Sequence, residues 1–178
     1  MCPRNSLQWN PGVLVPTDFS IRPAESGDAG SICRIARDVH RTVVEHRASV
    51  TQRTLEFTND ERFYVKAMRT GDRAVFVGAA GADVVGYVLV CEETAPDDLT
   101  SIPHALIDEI AVDPRYRHAG IGKALIARAE QWARSHGLTV VQLAVWEFND
   151  HAIRAFQRAG YRTLMRKMEK VLNLPGNS

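Results

Sequence analysis

The feature that most constrains this chain is one continuous stretch, residues 104–137, reading HALIDEIAVDPRYRHAGIGKALIARAEQWARSHG. Its first nine residues are largely apolar and stop at Asp113-Pro114, the pattern of a buried strand. From Gly120 onward Ile121, Leu125, Ala129, Trp132 and Ala133 recur at helical spacing, and His136-Gly137 closes the run. A strand followed by a helix with one apolar face must bury that face against a sheet, which points to an α/β layer.

The remaining segments supply the other layers. Residues 19–22 read as a short strand ended by Pro23, and residues 25–47 as a helix with Ser26 or Asp28 as its cap. A helix over 59–70 stops at Gly71, and a hairpin over 73–93 turns around Gly81-Ala82-Asp83. A loop spans 95–103. After the central stretch come a strand over 138–148, a helix over 149–160 capped by Asn149 or Asp150, and a final strand over 161–172. The 178 residues suit one domain over 19–174, with a loose arm at 1–18 and a short tail at 175–178.

The totals exclude more than they assign. A net charge of +1 gives no reason to expect nucleic acid, so any anion site must be local. No apolar run approaches the roughly 20 residues that cross a bilayer, so no membrane partner is expected. Three cysteines, Cys2, Cys33 and Cys91, stand far apart with no CxxC pair, which suits a reducing cytoplasm and offers no metal site. His40 and His46 are six apart and share no helical face, so they make no metal pair.

Three phosphate motifs compete for RHAGIGKAL. A P-loop needs a Ser or Thr after Gly122-Lys123, where Ala124 stands. A dinucleotide fingerprint needs a third glycine, where Leu125 stands, and a strand running directly into the turn. What remains is RxxGxG opening a helix. Arg117 supplies charge, Gly120 and Gly122 remove Cβ atoms, and the first-turn N–H groups and helix dipole converge on one point.

Taken together, Val112-Asp113-Pro114, Arg117 to Gly122, and Asn149-x-x-Ala152-Ile153 with Gly160-Tyr161 resemble the GNAT superfamily of acetyl-CoA-dependent N-acetyltransferases. The likeness is close over about residues 105–161, and the element order extends it back to about Phe19. It implies a single-domain GNAT-like α/β fold: a mixed central sheet with splayed fourth and fifth strands and helices on both faces. It implies that the amides of Arg117, His118, Ala119, Gly120, Ile121, Gly122 and Lys123 cradle the pyrophosphate of coenzyme A. It also implies that the strand at Ile110, Ala111 and Val112 bonds the pantetheine arm, as an added strand would. Arg115, Lys123 and His118 are candidates for the outer phosphates. Asn149, expected as a helix cap, reaches the cofactor arm in relatives. The acceptor is expected to be the primary amine of a small molecule, ahead of a protein N-terminus or lysine. Relatives are often homodimers, so a homodimer is an expectation here.

For the base, Asp108 and Glu109 are adjacent carboxylates in an apolar strand. Strand alternation sends them to opposite faces, so at most one faces the site. The resemblance favours Asp108, which shares the alternation at which relatives carry bases, and Glu109 reaches the site only through a bulge. Either carboxylate is an alternative binder of a cationic amine. The resemblance places the oxyanion donor at a backbone N–H near Ile110. The family's usual acid is a tyrosine where this chain has Phe156, a departure that leaves water, Tyr116 or Tyr161 to protonate the thiolate. The same departure is the one feature pointing to a coenzyme-A-binding sensor without catalysis.

Overall fold

The computed structural model describes residues 18–46, 60–94 and 102–170. The tail expected over 175–178 lies outside these residues, as do the arm expected over 1–18 except Asp18 and the loop expected over 95–103 except Ile102 and Pro103. Among the described residues, no helix is long and apolar enough to cross a membrane.

Five strands form one sheet in chain order: β1 (Ser20–Pro23), β2 (Arg73–Ala80), β3 (Asp83–Glu93), β4 (His104–Val112) and β5 (Val141–Leu143). The first four run antiparallel, and β5 lies parallel to β4. Helices α1 (Ala29–His46) and α2 (Glu61–Ala67) cover one face, with Ile32, Ile35 and Tyr64 packed on Val75, Val77 and Leu89. Helix α3 (Ile121–Ser135) covers the other, with Leu125, Ala129 and Trp132 on Phe76, Val88 and Ile107. The last helix, α4 (Asp150–Arg158), has no fully buried residue.

Local chemistry sets the helix starts. Asp28 takes the Glu25 N–H at 2.8 Å and both terminal nitrogens of Arg22 at 2.7 and 2.9 Å, fixing the turn into α1 to β1. Asn149 accepts the Ala152 N–H at 3.2 Å and so caps α4. The hairpin turns at Gly81, whose φ of 60° belongs to the left-handed region.

Two bare positions seat α3. Gly78 and Gly86 face each other across β2 and β3. A Cβ on Gly78 would stand 2.9 Å from the Ile121 side chain, and one on Gly86 would stand 3.0 Å from the Ala111 carbonyl oxygen. Ile121, the first residue of α3, therefore sinks onto the sheet.

Two expectations change. The strand expected over 138–148 shrinks to three residues, because the chain leaves β4 after Leu143 and turns with Asn149 N–H bonded to the Trp146 carbonyl. The final strand does not form within 161–170. Its apolar residues Leu164, Met165 and Met168 do not alternate and stand 68, 79 and 86% exposed, so no face is available to be buried.

Candidate active site

The site begins where the sheet opens. β4 and β5 pair from Ala105↔Val141 to Ile107↔Leu143 and then part. From Glu109 to Val112, β4 keeps its β3 partner, and among the described residues no strand lies on its other side. That edge presents backbone N–H and C=O groups into a gap, as an added extended segment requires.

At the vertex of the gap the strand carries a bulge. Leu89 pairs with Glu109 and Val90 with Ile107, leaving Asp108 as the extra residue. Ile107 and Ile110, three apart, both pack on the α3 side. The expected placement of the two carboxylates on opposite faces therefore fails. Glu109 lies on the α1–α2 side, and Asp108 interacts electrostatically with Arg73 and Glu93.

The two carboxylates differ in character. Glu109 Oε2 accepts the hydroxyls of Tyr64 at 2.7 Å and Tyr87 at 2.6 Å. Both tyrosines are almost wholly buried, and burial, followed by the Glu109 charge, pushes both phenols well above their ordinary pKa. They stay protonated and donate to the Glu109 carboxylate. Asp108 is exposed, yet desolvation at its base raises its carboxyl above the ordinary range while Arg73 pulls it back. A carboxylate raised in this way is a better proton acceptor than one at its ordinary pKa.

The far end of the edge is the glycine loop. Arg117 Nε donates to the Val112 carbonyl at 3.3 Å, bending the loop back on β4. His118 and Gly120 have φ of 67° and 85°, and Gly120 caps α3 without any side-chain hydrogen bond. The helical ladder begins with Ala124 N–H to Gly120 O, so the first-turn donors of Ile121, Gly122 and Lys123 take no partner from a capping side chain. A Cβ on Gly120 would meet nothing within 4 Å, and one on Gly122 would reach only Val112, at 3.7 Å. Bare donors, open space and no carboxylate in residues 114–125 suit a phosphate.

Placement of the other expected residues is mixed. The Ile121 and Ala111 side chains are buried, so only their backbone can face a ligand. Ile110, Val112 and Ala119 pack toward the α3 cluster, and Lys123 is exposed. Arg115 is taken by Asp113, through Nε at 3.1 Å and a terminal nitrogen at 2.8 Å, and does not stand free for an outer phosphate. Asp113 also receives Arg34 from α1 at 2.9 Å, and this pairing, Arg115 first, holds its carboxyl well below the usual range. Phe156 lies against Tyr161 with ring centroids 6.0 Å apart, and the Tyr161 hydroxyl donates to Glu130 at 3.4 Å.

On the α1 side of the gap, His46 stacks on Phe148 at 4.4 Å, and Phe148 on Trp146 at 6.2 Å. This aromatic row joins the end of α1 to the turn after β5. Cys33 and Cys91 are raised above the ordinary thiol range, chiefly by burial. Sequence reasoning missed Tyr64 and Tyr87. Each fits its element's apolar face, and no spacing connects either to Glu109.

Residues 31–161 match the acetyltransferase (GNAT) family, and the chain belongs to it. It is similar to an uncharacterized N-acetyltransferase of Methanocaldococcus jannaschii, 35% identical over 56% of this chain and 44% of that protein. It is also similar to the streptothricin acetyltransferase of Streptomyces lavendulae, 36% identical over 49% of this chain and 42% of that protein. The match thus spans less than half the length of either relative. A solved structure from Bacillus halodurans shares the fold with a TM-score of 0.79 at 24% identity, covering 86% of this chain and 99% of that one.

Proposed function

We propose that this chain transfers an acetyl group from acetyl-CoA to the primary amine of a small molecule, by direct attack within a ternary complex. One observation carries the reading. The unpaired edge of β4 runs from a bulged carboxylate at Asp108 to the bare start of α3 at Gly120. Acetyl-CoA supplies an activated acyl group as a thioester. The first-turn donors of α3 hold its phosphates, and the β4 edge at Ile110 to Val112 bonds the extended arm.

The chain's own groups then divide the work. Asp108 receives the proton of the attacking amine, directly or through one water, at the vertex where β4 and β5 part. A backbone N–H near Ile110 faces the charge that develops on the carbonyl oxygen. Glu109, held by Tyr64 and Tyr87, places a fixed negative charge beside the amine and favours a cationic acceptor. The bond from nitrogen to the acetyl carbon forms as the carbon–sulfur bond breaks. The thiolate takes its proton from water, because Phe156 has none to give. A thiol with a pKa of about 8.5 leaves tolerably near neutrality.

The test is thiol release from acetyl-CoA across a panel of small amines, peptide N-termini and lysine peptides. Turnover with a small cationic amine supports the reading. Turnover only with peptides replaces the acceptor class, and coenzyme A binding with no turnover on any arm points to the sensor.

A further inference from the structure

A second group of residues at the glycine loop lies outside this chemistry. His118 is the sole described residue other than glycine with a positive φ, 67°. A side chain there is strained relative to glycine. The conformation presents its imidazole to α4, where it meets His151 edge to face with ring centroids 5.1 Å apart. Both rings are exposed, and among the described residues neither has a carboxylate partner. The charged groups acting on His151 are His118, Arg117, Arg154 and Arg158, from the loop and from α4 itself. Every one of them is cationic or becomes so on protonation. Two imidazoles among three guanidiniums cannot both hold protons comfortably without an anion between them. Burial, and then these neighbours, hold His151 below its ordinary pKa.

We propose that His118 and His151 form a proton-linked phosphate clamp: the pair binds a phosphate at the nucleotide end of coenzyme A and takes up a proton as it does so. The inference rests on the coenzyme A reading above and adds the linkage. Without the anion, repulsion keeps at least one ring neutral. With it, the two rings and the guanidiniums surround a dianion, and protonation of the second ring becomes favourable. The strained backbone at His118 is then explained, since a glycine would relieve it and lose the ring. The sign follows from linkage. A group whose pKa rises on binding strengthens binding at low pH, so affinity falls as pH climbs through the histidine range.

The experiment is calorimetric titration of the full chain with coenzyme A from pH 6.5 to 8.5, in two buffers of different ionisation enthalpy. Over this range a monoester phosphate, with its second pKa at about 6, stays largely dianionic and contributes little of its own. The wild type is expected to take up protons and to lose about threefold in affinity across the range, out of the roughly tenfold limit that a one-unit pKa rise on binding sets. His118→Asn, which tolerates a positive φ without titrating, and His151→Gln should each flatten that slope. His118→Gly should raise the thermal midpoint by about 2–4 °C while weakening coenzyme A binding. Repeating the titration with dephospho-coenzyme A locates the clamp: loss of the slope assigns it to the ribose phosphate, retention to the pyrophosphate. A wild-type slope no steeper than that of His118→Asn/His151→Gln, or no net proton uptake, overturns the clamp while leaving the cofactor assignment intact. Coenzyme A that fails to bind the wild type at all overturns the cofactor assignment itself.

Discussion

On the side of the gap assigned to the cofactor, the contacts are backbone groups from one continuous run: the β4 edge, the loop and the first turn of α3. On the side assigned to the acceptor, side chains converge from separate elements. His46 comes from α1, Tyr64 from α2, Tyr87 from β3, and Phe148 from the turn after β5. The first kind of site depends on where glycines fall and on what the backbone leaves unpaired. The second depends on the whole sheet holding distant residues in register. A change on the first side should therefore act on binding of one ligand, and a change on the second on recognition of the other.

The contrast is sharpest at Gly120. Replacing it with Asp puts a like charge against the phosphates, a juxtaposition costing several kcal/mol, so coenzyme A affinity should fall by about 10³-fold. The ligand-induced rise in thermal midpoint should vanish while the apo protein stays folded. An undiminished rise would remove the phosphates from α3. Next in size is Asp108→Asn, expected to lower kcat by about 10²-fold with coenzyme A binding unchanged. If only the amine KM moves, Asp108 anchors the acceptor and is not its base.

The joint between the two sides is Asp113, where Arg34 of α1 meets Arg115 of the loop. Asp113→Asn should cost about 2 kcal/mol, because hydrogen bonds to a charged group are lost on both partners. Its depressed pKa fixes the sign with pH. The stabilisation is fully present above the ordinary carboxylate pKa of about 4 and disappears as pH falls below it toward the folded value. Melting at pH 7 and pH 3 should therefore show wild type and variant converging in acid. A constant difference would mean that packing, not charge, carries the effect.

Smaller effects belong to the acceptor side. Tyr64→Phe and Tyr87→Phe each remove one donor from Glu109 and should raise the amine KM by about tenfold, consistent with a charge-assisted bond of about 1.5 kcal/mol. Neutral amines should be spared, which a merely structural role would not predict. The smallest change is expected from Phe156→Tyr, which should leave turnover within about tenfold of wild type, below the ~10²-fold of a positioned acid. A larger gain would indicate that the natural chain lacks an acid it needs.

How legible each side was in the sequence follows from the same contrast. RxxGxG, the Asp113-Pro114 stop and the helical face beginning at Ile121 are neighbours in the chain, and reading them required only local rules. The succession of strands and helices followed from apolar periodicity, and the mixed sheet with both faces covered came with the resemblance. The bulge was legible in principle, because Ile107 and Ile110 are three apart in a strand whose period is two. Strict alternation hid it and sent Asp108 and Glu109 to opposite faces. The tyrosines on Glu109 come from 45 and 22 residues away, and only the folded register brings them there. The strand expected over 161–172 failed for a different reason. Its composition suits a strand, but β-structure needs a partner edge and a face to bury, and no local pattern reports either.

The seating of α3 on Gly78 and Gly86 has a consequence for how this sequence can drift. An alanine at Gly78 would press on Ile121, and one at Gly86 on the Ala111 carbonyl, so each would lift the residue that opens α3 or the strand beside it. Neither glycine is near the loop over 114–120 in sequence, and neither needs a positive φ, so a local reading would score both as freely replaceable. The cost should instead depend on residue 121. An alanine at position 78 would be accepted first in a lineage that had already traded isoleucine for a smaller side chain there, and refused in one that had not. Mutational tolerance of the hairpin and of the helix start is therefore a shared property of this lineage.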